Sequence, residues 1–144
     1  MYLIDTNVIS EARKKSRANP GVIDFFNRVV AAGDPVYLSV ITVGELRRGV
    51  ELIRLRGDTE QARLLEDWLS AVLAEYADKV LTFDADMAQV WGRLRVPNPE
   101  NALDKQIAAT ALLYDLTVVT RNAVDFAGTG AKVLNPFVVS ASSS

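Results

Sequence analysis

Four acidic residues fall where their positions could support chemistry: Asp5, Glu45, Asp104 and Asp125. Asp5 closes the apolar run YLI and is followed by Thr6 and Asn7. It therefore ends a candidate strand, and open parallel sheets hold their ligands beyond the carboxyl ends of their strands. A helix cap is the simpler role for an Asp or Thr at that point. Glu45 lies within SVITVGELRRGVE. At about 100° per residue, Val43, Leu46, Val50 and Ile53 share one helix face, while Ile41, Leu52 and Glu45 cluster nearly opposite. A carboxylate inside an apolar stripe calls for a cation or hydrogen bonds; pairing with Arg48 at i+3 is the plainer alternative. Asp104 follows Asn101 by three residues, the spacing of a capping box. It also heads a stripe through Ile107, Ala108 and Ala111 that faces the protein body. In TRNAVDF, Thr120, Asn122 and Asp125 sit at the end of a later strand, facing Asp5 if the two strands are neighbours. Asp84 and Asp86 open a helix and read as cap and dipole partners.

The chain contains no cysteine and no histidine. This excludes disulfides, thiolate nucleophiles, imidazole bases and zinc sites built on those ligands. Converging carboxylates without cations repel one another, so they would either take up protons or bind a metal. Oxygen donors suit Mg²⁺ or Mn²⁺, and Mg²⁺ characteristically shares its coordination with substrate phosphates. Phosphodiester hydrolysis fits such a site, with a carboxylate accepting the proton of the attacking water. The net charge is −2, with 18 Asp and Glu against 16 Lys and Arg. Setting the four site acids aside leaves a slightly basic remainder. Arg121, beside the proposed site, is the best single candidate for a phosphate contact. Two basic runs, Arg13 to Arg17 and Arg47 to Arg56, are further candidates, although most such runs are solvated faces.

Positioning these residues requires a βα alternation around a mainly parallel sheet. Short apolar strands are expected at Tyr2–Asp5, Pro35–Ser39, Lys79–Phe83, Thr117–Thr120 and Lys132–Leu134. TNVISEARKK reads as one helix, and a second begins at Pro20 and stops at Gly33. A helical hairpin turns at Gly57 and Asp58. An amphipathic helix through Met87, Val90, Trp91 and Leu94 breaks at Pro97 and Pro99, and another starts near Asn101. Length and composition suit one domain, 1–139, with a polar tail at 140–144. No apolar stretch approaches a membrane span, and the acid at Asp5 argues against a signal peptide. A cytoplasmic protein is expected.

Taken in order, LIDTN, SVITVGELRRGVE, LDKQIAATAL and VVTRNAVDF followed by GTGAKVLNPF resemble the PIN-domain ribonucleases, particularly VapC toxins and FitB proteins. The resemblance covers nearly the whole chain. It implies a three-layer α/β/α fold around a parallel sheet of about five strands. It also implies Mg²⁺- or Mn²⁺-dependent endoribonuclease activity on single-stranded regions of RNA, commonly tRNA or rRNA. The family's acids fall on Asp5, Glu45 and Asp104. The fourth falls on Asp125 or Asn122, and the TRNxxDF form favours Asp125, with Asn122 or Thr120 in support. By the same resemblance, Asp5 and Asp104 are the main direct metal ligands, and Glu45 and Asp125 complete the site partly through water. A VapB-like antitoxin partner is implied, as is a homodimer or a toxin–antitoxin hetero-oligomer. The hairpin from Val43 to Leu73 could supply such surfaces or simply complete the core.

Two other functional classes compete. A receiver-like signalling domain also binds Mg²⁺ through aspartates at strand ends, and TFDAD offers an acceptor in Asp84 or Asp86. Asp5 stands alone, however, and no lysine is suitably placed. A non-catalytic partner-binding domain is the third reading.

Overall fold

The computed structural model describes residues 1–139, so the proposed tail at 140–144 lies outside the described residues. Five short strands, β1 (Tyr2–Ile4), β2 (Val36–Ser39), β3 (Val80–Leu81), β4 (Thr117–Val119) and β5 (Lys132–Leu134), form one sheet in the order β3-β2-β1-β4-β5. Every adjacent pair is parallel. The strands occupy the expected stretches; β1 to β4 are trimmed at their ends and β5 has the expected bounds. The order of strands switches direction between β1 and β4, which are direct neighbours, with Ile4 opposite Val119. A crevice therefore opens beyond their carboxyl ends.

Helices cover both faces. α1 (Thr6–Ala12), α2 (Pro20–Ala32), α3 (Val40–Leu55) and α4 (Thr59–Glu75) pack one side, and α5 (Ala85–Leu94) and α6 (Ala102–Tyr114) the other. Alternation along the strands divides the core. Ile4, Leu38 and Val119 join Val8, Phe25, Leu46, Val50 and Leu69 on the first face. Leu3 and Val118 join Ile107, Ala108, Ala111 and Phe126 on the second. Among the described residues, no helix is long and apolar enough to cross a membrane.

Local chemistry explains most boundaries. Asn19 accepts from Gly21 N–H at 2.9 Å to cap α2, Pro20 fills its first position, and Gly33 ends it with φ 68°. The predicted TNVISEARKK helix is shorter than expected. α1 stops at Ala12, and after it Lys15 adopts φ 55° within a 3-10 turn at Lys15–Arg17. The freed Glu11 carboxylate binds Lys14 at 3.0 Å and the Asn19 N–H at 2.8 Å, tying this turn to the start of α2.

The α3–α4 hairpin is locked across its arms. Arg47 meets Glu66 through two 2.7 Å hydrogen bonds, and Arg54 reaches the same carboxylate at 3.2 Å. These charges hold the hairpin while Leu46, Val50, Leu69 and Val72 enter the core.

Candidate active site

Asp5 lies at the end of β1 and is 5% exposed. It takes the helix-cap role that its sequence position allows and also bonds across to the end of β4. One carboxylate oxygen accepts the Thr6 N–H at 2.8 Å and caps α1, while the other faces the crevice and accepts the Thr120 hydroxyl at 2.8 Å. The neighbouring polar residues form a small network around this pair. Asn7 Nδ2 lies 3.5 Å from Asp5 Oδ2 and 3.4 Å from Thr120 Oγ1. Its Oδ1 accepts the Arg121 N–H at 3.0 Å, and Thr120 Oγ1 accepts the Asn122 N–H at 3.0 Å. The strand ends of β1 and β4 are thereby sewn together.

Asp104 is half-buried in the first turn of α6. The capping box suggested by its spacing does not form. Asn101 stands at the cap position in the left-handed region, with φ 56° and ψ 43°, and its side chain makes no cap hydrogen bond. Asp104 is consequently not drawn into a local bond with that cap. Small residues bring the helix close to the sheet, since Ala108 and Ala109 are fully buried and Ala111 almost so.

The acids influence one another electrostatically. The Asp104 carboxyl is pushed up to about 6, first by burial and then by the charges of Asp5, Asp125 and Glu45. Asp5 is also raised: burial outweighs the hydrogen bonds from Thr120 and Thr6, and the charge of Asp125 adds to the rise. No lysine or arginine is among the groups shifting either residue. Asp125, in the 3-10 turn Ala123–Phe126, thus belongs to the field of the site. Asn122 is exposed and contributes its backbone N–H to Thr120.

Glu45 is half-buried on α3 and forms no ion pair with Arg48, the partner suggested by their spacing; among the described residues, the ion pairs of α3 involve Arg47, Glu51 and Arg54. Arg121 packs on an aromatic side chain. Its guanidinium lies 4.8 Å from the centre of the Phe137 ring, and its charge acts on Glu11. Asp84 accepts the Met87 N–H at 3.0 Å and caps α5 beside β3, the edge strand, so it stands apart from the β1–β4 crevice.

Among the described residues, no three acidic side chains close on one point as ligands of a single metal ion would. Their donor chemistry nevertheless fits a hard cation. All four donors are carboxylates, their neighbours' charges raise the proton affinity of Asp5 and Asp104, and a divalent ion would relieve that repulsion.

Beside the acids, a cleft of about 210 Å³ opens between α1 and α3. It is lined by Thr6 and Glu45 together with Ser10, Arg13, Gly49 and Trp68. In the sequence Arg13 is one member of a basic run. The signal that could tie it to the site is the i, i+4, i+7 relation of Thr6, Ser10 and Arg13, which places all three on one face of α1.

Comparison with known proteins agrees with this architecture. The PIN domain family model matches residues 2–131. The chain is 36% identical over 142 residues to the toxin FitB of Neisseria gonorrhoeae, covering 95% of this chain and 99% of that one. It is 32% identical over 144 residues to the VapC ribonuclease Y4jK of Sinorhizobium fredii, covering 95% and 98%. The crystal structure of FitAcB from Neisseria gonorrhoeae superposes with a TM-score of 0.81 at 36% identity, covering 94% of this chain and 98% of that one. With its parallel five-stranded sheet, helices on both faces and acids at the β1–β4 crevice, the chain belongs to the PIN domain family.

Proposed function

We propose that this protein is a metal-dependent endoribonuclease that hydrolyses phosphodiester bonds in single-stranded regions of RNA. The reading rests above all on Asp104, a half-buried carboxyl raised to about 6 by burial and three other acids with no compensating basic group. Asp5, Asp104, Glu45 and Asp125 would hold Mg²⁺ or Mn²⁺, with Asp5 and Asp104 as direct ligands and the other two acting partly through water. When bound, the ion neutralises charge on the phosphate and favours ionisation of water. Thr120 fixes one Asp5 oxygen by donating to it, and Thr6 N–H holds the other, so the carboxylate is oriented before substrate arrives. With no imidazole available, a carboxylate oxygen of this set accepts the proton of the attacking water. Asn7 and Asn122 support Thr120, while Thr6 and Arg121 stand at the rim as candidate substrate contacts.

The names of the FitB and VapC relatives, a toxin and a ribonuclease, support a toxin role; tRNA or rRNA as target, a VapB-like antitoxin as partner and the cytoplasm as workplace complete the proposal. Assembly as a homodimer or a toxin–antitoxin hetero-oligomer belongs to the same reading.

The test uses purified protein and a pool of structured RNAs, with Mg²⁺, Mn²⁺ or EDTA, beside Asp5→Asn. Cleavage is expected only in the wild type with a divalent ion. Cleavage that resists EDTA or persists in Asp5→Asn would overturn the metal site, and failure to cleave any RNA would favour the partner-binding alternative.

A further inference from the structure

Building on the ribonuclease reading, we propose that the cleft between α1 and α3 seats the RNA nucleotide next to the scissile phosphate, with a backbone phosphate at Arg13 and the base against Trp68. The cleft is lined by Glu45, by Thr6, which follows Asp5 in the chain, and by Trp68. One wall is polar. Thr6, Ser10 and Arg13 follow one another along the same face of α1, carrying two hydroxyls and then a guanidinium whose residue lies about 10 Å along the helix from Thr6. The acidic end repels phosphate, so the next phosphate along the strand belongs at the far, basic end.

The charge of Arg13 is uncommitted. Among the described residues Arg13 has no ion-pair partner, whereas its neighbour Lys14 is held by Glu11, and Arg47 and Arg54 of the hairpin are held by Glu51 and Glu66. A guanidinium placed in this way suits a phosphate. The remaining lining is apolar and aromatic, provided by Leu46, Val50, Leu65 and Trp68. Base stacking on such side chains is the usual way single strands are held. At about 210 Å³ the cleft is smaller than the about 300–1,000 Å³ of sites that enclose a drug-sized ligand, which suits one nucleobase with its backbone outside.

Gly49 keeps the cleft open. It lies inside α3, where glycine costs helix stability, yet a Cβ added there would meet nothing within 4 Å. A side chain at position 49 would thus start in open space on the lining of the cleft.

The experiment uses Trp91→Phe, which leaves Trp68 as the sole tryptophan, and titrates single-stranded RNA in EDTA and low salt while following Trp68 emission and RNA polarisation. Saturable quenching of Trp68 is expected. Adding Gly49→Leu or Arg13→Ala is expected to weaken binding about tenfold, the scale of one lost charge-assisted contact or one blocked base. Gly49→Leu should melt no lower than its parent. In Mg²⁺, both substitutions should raise KM more than they lower kcat. If RNA binds and is cleaved but Trp68 emission and both variants are unaffected, the cleft proposal is overturned while the ribonuclease reading stands. A cleft filled by a peptide but not by RNA also overturns it. Failure of wild type to bind or cleave RNA overturns both.

Discussion

The Thr120 hydroxyl donates a 2.8 Å hydrogen bond to Asp5 Oδ2, joining residues 115 positions apart across the β1–β4 boundary. Asp5 is almost fully buried, so this hydrogen bond both orients the carboxylate and limits the cost of keeping it ionised. Thr120→Val retains the shape and removes the donor. The expected result is a loss of about 1–3 kcal/mol in chemical denaturation, the cost of an unsatisfied buried acceptor. Mg²⁺ affinity and cleavage should also fall at least about tenfold, and Thr120→Ser should recover most of both.

Asp104 links pH to stability. Its carboxyl titrates near 6 in the folded protein against 3.8 ordinarily, so between those values the folded state holds more of the proton than the unfolded state. Its contribution favours folding at low pH and is lost as pH rises through about 6. Metal-free protein should therefore gain melting temperature on going from pH 7.5 to about 5, where Glu66, lowered to about 2, is still ionised. A flat or rising profile toward pH 7.5 would show that the acids do not repel as described.

Asp104→Asn removes the same repulsion by mutation. Because the side chain is only half-buried, solvent screening reduces the gain to about 1 kcal/mol, or about 2–4 °C, at pH 7.5 without metal. Cleavage should disappear. Added Mg²⁺ should raise the melting temperature of the wild type and leave Asp5→Asn unchanged, since only a folded state that binds the ion is stabilised by it. Equal Mg²⁺ responses in the two proteins would contradict the assignment of Asp5.

The Arg47–Glu66 pair predicts a salt-sensitive hairpin. Glu66 is held down to about 2 by Arg47 first and Arg54 second, so its contribution is present above its ordinary carboxylate range and lost as pH falls through about 2. Glu66→Gln should lower the melting temperature slightly at low ionic strength, and the difference should vanish near 1 M salt, because the pair is on the surface.

Ala108 is fully buried where α6 meets the sheet. Ala108→Leu is expected to cost about 1–3 kcal/mol through overpacking. Asp104 lies one turn earlier on the same helix, so cleavage should fall further than the loss of folded protein explains. Activity that merely tracks the folded fraction would show that Asp104 tolerates the displacement.

Much of this organisation was legible in local sequence. Pro20 and Gly33 bracket α2 because their backbone preferences suit the first turn and the left-handed stop. Asp5 could be placed at a strand end because apolar YLI precedes it and capping residues follow. Other inferences failed where a local rule met tertiary constraint. Asn101 and Asp104 have capping-box spacing, but Asn101 takes up a left-handed conformation that removes its side chain from the cap. The packing of the Arg121 guanidinium on the Phe137 ring was likewise not legible from its position in the sequence.

The sequence by itself determined the type of chemistry available. Without histidine or cysteine, any metal held by side chains of this chain would be bound through oxygen donors, and residue identity alone carries that limit. Only the tertiary structure decided that β1 and β4 are neighbours, that Asp125 comes close enough to add its charge to Asp5 and Asp104, and that Arg13 and Gly49 share a cleft with Glu45. The physical reason is range. Capping, periodicity and chain reversal depend on residues a few positions apart, whereas charge repulsion and the shape of a cleft arise between residues that only the packed sheet and helices bring together.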